Sequence, residues 1–269
     1  MLSSHSRQSG FTMIEISIVM IVIGLLVGGV LAGYDLVRIA QLRSVITEIE
    51  QFKTAVHTFR AKYGALPGDM RDAETIWGSD VSCPSTPYTV SPHTETCNGD
   101  GNGAIGDHGW TVNDFRESYR VSQHLANAGF IAGQYSGTAS TATGPAVVGV
   151  NTMSSRIASG VGYFPLKLHD NVAVLGAVLY YPGYYGHSIM LGKYSAIFDI
   201  TVDAALSGND AAWIDTKIDD GKAGAGNVLT FVQGNGFISS NCATTPSEET
   251  AVYTNSVSIE CSLVFRRQF

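Results

Sequence analysis

Arg7-Gln8-Ser9-Gly10-Phe11-Thr12-Met13-Ile14-Glu15 runs without a break into Ile16–Gly33, an eighteen-residue stretch in which Ser17 is the one polar side chain. That length is enough to cross a bilayer. Glu15 therefore stands in a membrane-length apolar run, where a charged carboxylate costs about 2.5–3.5 kcal/mol on insertion scales and persists only with a partner or a function. An ordinary secretory signal is the plainer reading, because Val30-Leu31-Ala32 before Gly33 fits a small-residue cleavage site. Its apolar region would run to about 7–15 residues, however, shorter than this one. A simple membrane anchor is a second alternative. The sequence beyond the span argues against a cleaved signal. Leu36, Ile39, Leu42, Val45, Ile46, Ile49, Phe52, Val56, Phe59 and Tyr63 recur at helical steps, and no proline interrupts Phe11 to Leu66. One helix over Phe11–Tyr63 would run roughly 80 Å, half in lipid and half amphipathic.

The hexapeptide Gly10–Glu15, behind a short polar leader and ahead of an apolar run, resembles the class III signal of type IV pilins and pseudopilins. The resemblance implies cleavage between Gly10 and Phe11 by a prepilin peptidase/N-methyltransferase, which methylates the new amino terminus on Phe11. It also implies that Glu15 of one subunit meets the terminal amine of its neighbour in a filament. The implied partners are other pilin subunits and an inner-membrane assembly platform. The implied location is the inner membrane, with a periplasmic head, before assembly; afterwards it is a surface pilus or a periplasmic pseudopilus. Within the family the rival reading is a type II secretion pseudopilin. From another class, the rival is an anchored or secreted enzyme with an unrelated head. Ala65-Leu66-Pro67-Gly68-Asp69, Gln123-His124-Leu125-Ala126, Ala128-Gly129 and Ile214–Gly221 also resemble large prepilin-type proteins of Gram-negative bacteria.

Without residues 1–10 the formal charge moves from −7 to −8, since Arg7 is lost. An acidic chain without clustered Lys and Arg does not predict a nucleic-acid grip. Charged residues are only 14% of the chain, a sparse surface that suits exported and filament-forming proteins. Cys83, Cys97, Cys242 and Cys261 are even in number, and a membrane signal places them in an oxidising compartment. Three connectivities exist. The local pairing Cys83–Cys97 and Cys242–Cys261 is favoured, each bridge being worth about 3 kcal/mol by chain entropy.

The long helix is expected to stop at Tyr63-Gly64-Ala65-Leu66-Pro67, where glycine caps and proline forbids continuation. A leader over 1–10, a helix over 11–63 with its span at about 11–33, and a globular head over 64–269 follow. Helices are expected over Asp69–Trp77, Val112–Phe130 and Asn209–Lys217. Strands are expected over Ala173–Tyr181, Ser188–Leu191, Ala196–Val202 and Val228–Val232. The alternation of Val257, Ile259, Cys261, Leu263 and Phe265 with polar neighbours predicts one half-buried strand. Ala132–Gly160, rich in small residues, reads as an irregular surface excursion or an exposed adhesive region. The fold class is α+β, a long N-terminal helix packed on an antiparallel sheet.

Asn98-Gly99-Asp100-Gly101-Asn102-Gly103-Ala104-Ile105 sets oxygen side chains at alternate positions around a tight turn, the first half of a calcium loop with the Ala104 carbonyl as a further ligand. Its twelfth position is Gly109, so Asp107 or Asp114 would have to close the shell. A metal-free cluster of Asx turns explains the same residues. A second cluster, Asp215, Asp219 and Asp220, falls at a helix C-terminus, where the dipole disfavours negative charge. Lys217 or Lys222 would offset it locally, or a cation would; the resemblance to pseudopilins, some of which hold calcium in the C-terminal part of the head, adds to the second reading. The sequence holds no catalytic motif, and His57, His93, His108, His124, His169 and His187 fall at no ligand spacing. Tyr180, Tyr181, Tyr184 and Tyr185 around Pro182-Gly183 read as strand-end packing or as an aromatic binding turn.

A residue without a Cβ at the cut lets the backbone enter a membrane protease in extended form. A bulky residue in place of Gly10 is therefore expected to leave the leader attached. Amino-terminal sequencing of the wild-type protein should begin at Phe11, and a chain beginning at Gly33 would contradict the processing site.

Overall fold

The computed structural model describes residues 11–81, 83, 93–106, 115–138, 146–168, 173, 174, 177, 178, 181, 183–196, 200–230, 242–244 and 250–269. Its compact units are 1–41 and 42–269, so the division falls within the first helix. That helix, α1, spans Met13–Tyr63 without interruption. It ends where the sequence places its stop: Gly64 has φ 71°, and its N–H donates to the carbonyl of Arg60. In the first unit the described residues from Phe11 onward are exposed or, at Gly33, Arg38 and Gln41, half-buried, and the helix is long and apolar enough to cross a membrane.

In the second unit Leu42, Val45, Ile49, Phe52, Val56 and Phe59 turn one face of α1 into the core. The other helices are α2 (Ala73–Trp77), α3 (Phe115–Asn127) and α4 (Gly208–Ile218). The strands are β1 (Met153–Ser154), β2 (Val161–Leu168), β3 (Ala173–Val174), β4 (Ala177–Val178), β5 (Gly186–Tyr194), β6 (Thr201–Asp203), β7 (Leu206–Ser207), β8 (Val228–Thr230), β9 (Ile259–Cys261) and β10 (Leu263–Phe265). The main sheet runs β1-β2-β5-β10-β8, with β6 on the end of β5, and every pairing in it is antiparallel. Alternate residues serve two cores. Tyr163, Ile189, Leu191, Leu263 and Phe265 pack towards α1, whereas Phe164, Met190, Leu229 and Val264 face Tyr181, Tyr185 and Ile200.

Several expected elements change. The expected strand over Ala173–Tyr181 is the short pair β3 and β4, with 175, 176, 179 and 180 outside the described residues. The expected helix at Asp69 begins only at Ala73, and the strand expected at Ala196–Val202 is described as Thr201–Asp203. The alternating segment Val257–Phe265 is not one half-buried strand. It breaks at Ser262 into β9, paired with β7, and β10, which is buried on both faces. Val257 is 85% exposed. The described parts of Ala132–Gly160 are irregular apart from β1 and are not wholly a surface excursion, since Ser136, Asn151, Thr152 and Ile157 are buried. Strand β2 was absent from the sequence expectations, because Gly162 and Pro165 weaken any strand reading. The proline is tolerated because β1 reaches only to Tyr163, leaving β2 an edge beyond it. Lys167, two residues on, donates its N–H outward to the Ile105 carbonyl, the same side on which Pro165 lacks one.

Three side-chain ties hold this unit together. Glu48 of α1 accepts from the Tyr163 hydroxyl at 2.6 Å, from Ser155 Oγ at 2.8 Å and from the Arg156 N–H at 3.2 Å. Burial and the Glu48 charge push the Tyr163 hydroxyl well above its usual range. The disulfides are Cys83–Cys97 and Cys242–Cys261, the local pairing. His124 of α3 accepts the Gly68 N–H at Nδ1 and lies 3.0 Å from Thr96 Oγ1 at Nε2, with its ring stacked on Phe59. Because Nδ1 accepts, the proton sits on Nε2 and the imidazole is neutral. Burial, with the nearby Arg120 charge, pushes His124 down to about 3.

Between pH 6.5 and about 3 the unfolded chain protonates this histidine and the folded chain does not, so stability falls as pH falls. About 3 kcal/mol should be lost from this group between pH 7 and pH 4.5. Urea unfolding of wild type and His124→Gln at both values checks it: the variant should be less stable at pH 7 but show a shallower decline. Equal slopes would contradict a neutral buried imidazole.

Candidate functional site

Three groups of residues carry the chemistry expected from the sequence, and the first is the start of α1. Gly10 lies outside the described residues, and Phe11 is 84% exposed. Thr12 and Glu15 form a capping box. The Glu15 N–H donates to Thr12 Oγ1, while the Thr12 N–H and hydroxyl both donate to Glu15 Oε2 at 2.8 Å. This T-x-x-E pattern is a helix-start signal in its own right, so Glu15 has a local role besides any in assembly. In this arrangement the carboxylate is held by its own first turn, where the helix dipole favours an acid.

The second group is the loop 98–106. Asp100 does not converge with Asn98, Asn102 and Ala104 alone; it stands with Asp69 and Glu117, whose carboxylate oxygens and its own all lie within 4.8 Å of one another. Asp69 accepts from the N–H groups of Asn102 and Gly103, and Glu117 from those of Asp100 and Gly106. The Asn98 side chain instead accepts from the Glu74 N–H, and that of Asn102 from the Ala104 N–H. Asp107 and Asp114 lie outside the described residues. Gly99 is required here: a Cβ would come within 2.3–2.5 Å of the Gly68 and Asp69 backbone. Burial pushes both the Asp69 and Glu117 carboxyls up, the N–H donors pull them down, and the Asp100 charge adds to the upward shift. Arg71 and Arg120 donate to the carbonyls of Asp100 and Asn98. The sequence alone does not join Asp69, first residue of the helix expected over Asp69–Trp77, or Glu117, inside that expected over Val112–Phe130, to Asp100.

The third group is Asp215, Asp219 and Asp220, likewise within 4.8 Å. Asp215 is fully buried on α4 and accepts from the Tyr253 hydroxyl at 3.0 Å and the Gly221 N–H at 3.3 Å. Burial is the main cause that pushes it up to about 7, against those two donors. Asp219 accepts from the Asn227 and Val228 N–H groups, and Asp220 from the Lys222 N–H at 2.8 Å. These donors offset the helix dipole locally. The Lys217 ammonium lies 5.8 Å over the Trp213 ring. In the tyrosine turn, Tyr181 and Tyr185 are buried and Tyr184 is exposed, while Tyr180 and Pro182 lie outside the described residues.

The family of the prokaryotic N-terminal methylation motif matches residues 5–31, the prepilin-type signal of type IV pilins and pseudopilins. No curated protein and no solved structure matches the chain.

A cation loop and a hydrogen-bonded turn separate on one measurement. In chelator, Asp100→Asn should leave the melting temperature unchanged or slightly raised, since it relieves repulsion of Asp69 and Glu117. If calcium binds, wild type should gain about 2.7 kcal/mol at a hundredfold excess over Kd, and Asp100→Asn should lose most of that gain. Equal wild-type melting in calcium and in chelator would leave the turn alone.

Proposed function

We propose that this chain is a structural subunit of a type IV pilus-like filament, made with a leader over 1–10, cut after Gly10, methylated on Phe11 and assembled through α1. The observation that carries the reading is the junction of the methylation motif at 5–31 with a helix of 51 residues. The first part of that helix is exposed apolar surface; the second is covered on one face by a disulfide-bonded head. A cleaved secretory signal has no use for that continuity.

On this reading the apolar part holds the subunit in the inner membrane with its head in the periplasm, and a prepilin peptidase and an assembly platform act on it there. Glu15 has two successive partners. Before assembly the capping box supplies two donors to its carboxylate, which lowers the cost of carrying it in lipid. In the filament the Phe11 amine of a neighbouring subunit takes its place, an attraction that low dielectric strengthens. The head's role is recognition or spacing on the filament surface, not catalysis. Calcium, if it has a place, belongs with Asp69, Asp100 and Glu117, as a brace of the loop beside the end of α1.

Glu15→Ala removes the insertion cost and the docking charge together. The variant should be processed and retained in the inner membrane, yet its share in sheared filaments should drop at least about tenfold, the equivalent of about 1.4 kcal/mol per docking contact. Immunoblots of sheared and membrane fractions check this, and recovery in filaments at the wild-type level would contradict it.

A further inference from the structure

Asn followed by Gly is the pair at which a chain most readily attacks its own side chain, because glycine leaves the next backbone nitrogen uncrowded. The sequence has three such pairs, Asn98-Gly99, Asn102-Gly103 and Asn235-Gly236, the last outside the described residues. The first two stand in one loop, yet the fold gives them opposite surroundings.

At Asn102 three groups meet the reacting atoms. Its side-chain Oδ1 accepts the Ala104 N–H at 2.7 Å and its Nδ2 donates to Asp100 Oδ2 at 2.9 Å, which fixes the two ends of the amide. Bonding to the N–H two residues on folds the side chain back over the Gly103 nitrogen between them. That nitrogen donates to Asp69 Oδ2 at 2.9 Å, within the reach of a general base. Asp69 is buried and also holds the Asn102 N–H, whereas Asn102 and Gly103 are exposed. Gly103 has φ 81°, and a Cβ there would have nothing within 4 Å, so ring closure meets no wall and water has access.

Asn98 has none of this. Its Oδ1 takes the N–H of Glu74 in α2, and the Gly99 N–H donates to the Met70 carbonyl at 2.7 Å. A neutral carbonyl takes no proton from that nitrogen.

We propose that Asn102-Gly103 is a self-modifying site, at which Asn102 is deamidated through a cyclic imide with Asp69 as the base. The Gly103 nitrogen attacks Asn102 Cγ while its proton passes to Asp69 Oδ2. Charge developing on Oδ1 is held by the Ala104 N–H. The Cγ–Nδ2 bond then breaks, the proton returns through Asp69 and Asp100 to that nitrogen, and ammonia leaves. Water opens the imide at either carbonyl, giving Asp or iso-aspartate at 102. One water is consumed, one ammonia is released and no electron is transferred. The product sets a further carboxylate beside Asp69, Asp100 and Glu117.

Full-length protein in detergent and chelator at neutral pH is followed by peptide mapping with mass spectrometry, both native and unfolded in urea with reductant. Native Asn102 should convert at least about tenfold faster than native Asn98, and about tenfold faster than Asn102 in urea, where local sequence alone acts. Both Asp and iso-aspartate should form, since direct hydrolysis of the amide gives Asp alone. Native conversion no faster than in urea, or Asp alone as product, would overturn the site. Asp69→Asn that melts cooperatively should convert Asn102 about tenfold more slowly in the native state and equally fast in urea. An unchanged native rate would overturn Asp69 as the base. Where melting shows that variant unfolded, the wild-type comparison of native and urea rates decides by itself.

Discussion

The head depends on the register of α1, one apolar face of which it covers. Helical register propagates along α1, so a face chosen at Phe59 fixes the faces one turn and several turns earlier. No proline falls between Phe11 and Leu66 to break that relation. Near its end α1 is held by Gly64 at the cap, by His124 stacked on Phe59, and by Glu48 under Tyr163 and Ser155. These are short-range ties on one side of the helix. The opposite side carries no charge along Thr47, Gln51, Thr54, Thr58 and Ala61, and its three threonine hydroxyls donate to carbonyls of their own helix.

The head shows how a weakly charged chain stabilises long irregular segments. Its buried and half-buried acids serve chiefly as acceptors for backbone N–H groups: Asp69 and Glu117 across the loop 98–106, Asp219 at the turn into β8, and Asp215 for Gly221, with the Tyr253 hydroxyl as a second donor. A carboxylate with two or three such donors keeps its charge in a partly dry place more cheaply than an unpaired one. Burial still wins at Asp215, whose carboxyl is pushed up to about 7. The same convergence of oxygens suits a hard cation, which is why one arrangement supports both readings of the loop.

What was legible in the sequence was what local periodicity or local chemistry decides. The steps from Leu42 to Phe59, the Gly64 stop, α4 around Trp213 and the two nearby cysteine pairs each depend on residues within about twenty of one another. What was not legible depends on distant partners. Strand β2 hides behind Gly162 and Pro165, which are harmless only because β1 is too short to pair there. The alternation from Val257 to Phe265 indicated a strand, but a break at Ser262 sends its two halves to different sheets, and a sheet covered on both faces needs no polar side. Glu117 and Asp69 are separated in sequence from Asp100 by other elements, and no spacing rule joins three acids drawn from a helix stop, a loop and a helix start. The motif at 5–31 was readable because it is linear.

The most direct test of the account is a helical reconstruction, by electron cryomicroscopy, of filaments that contain this chain. The account predicts α1 in the filament core with heads outside, density beginning at a methylated Phe11, and the amine of that residue within about 4 Å of Glu15 of a neighbouring subunit. Filaments in which α1 lies at the surface, or in which the heads make the lengthwise contacts while Glu15 faces no amine, would contradict it.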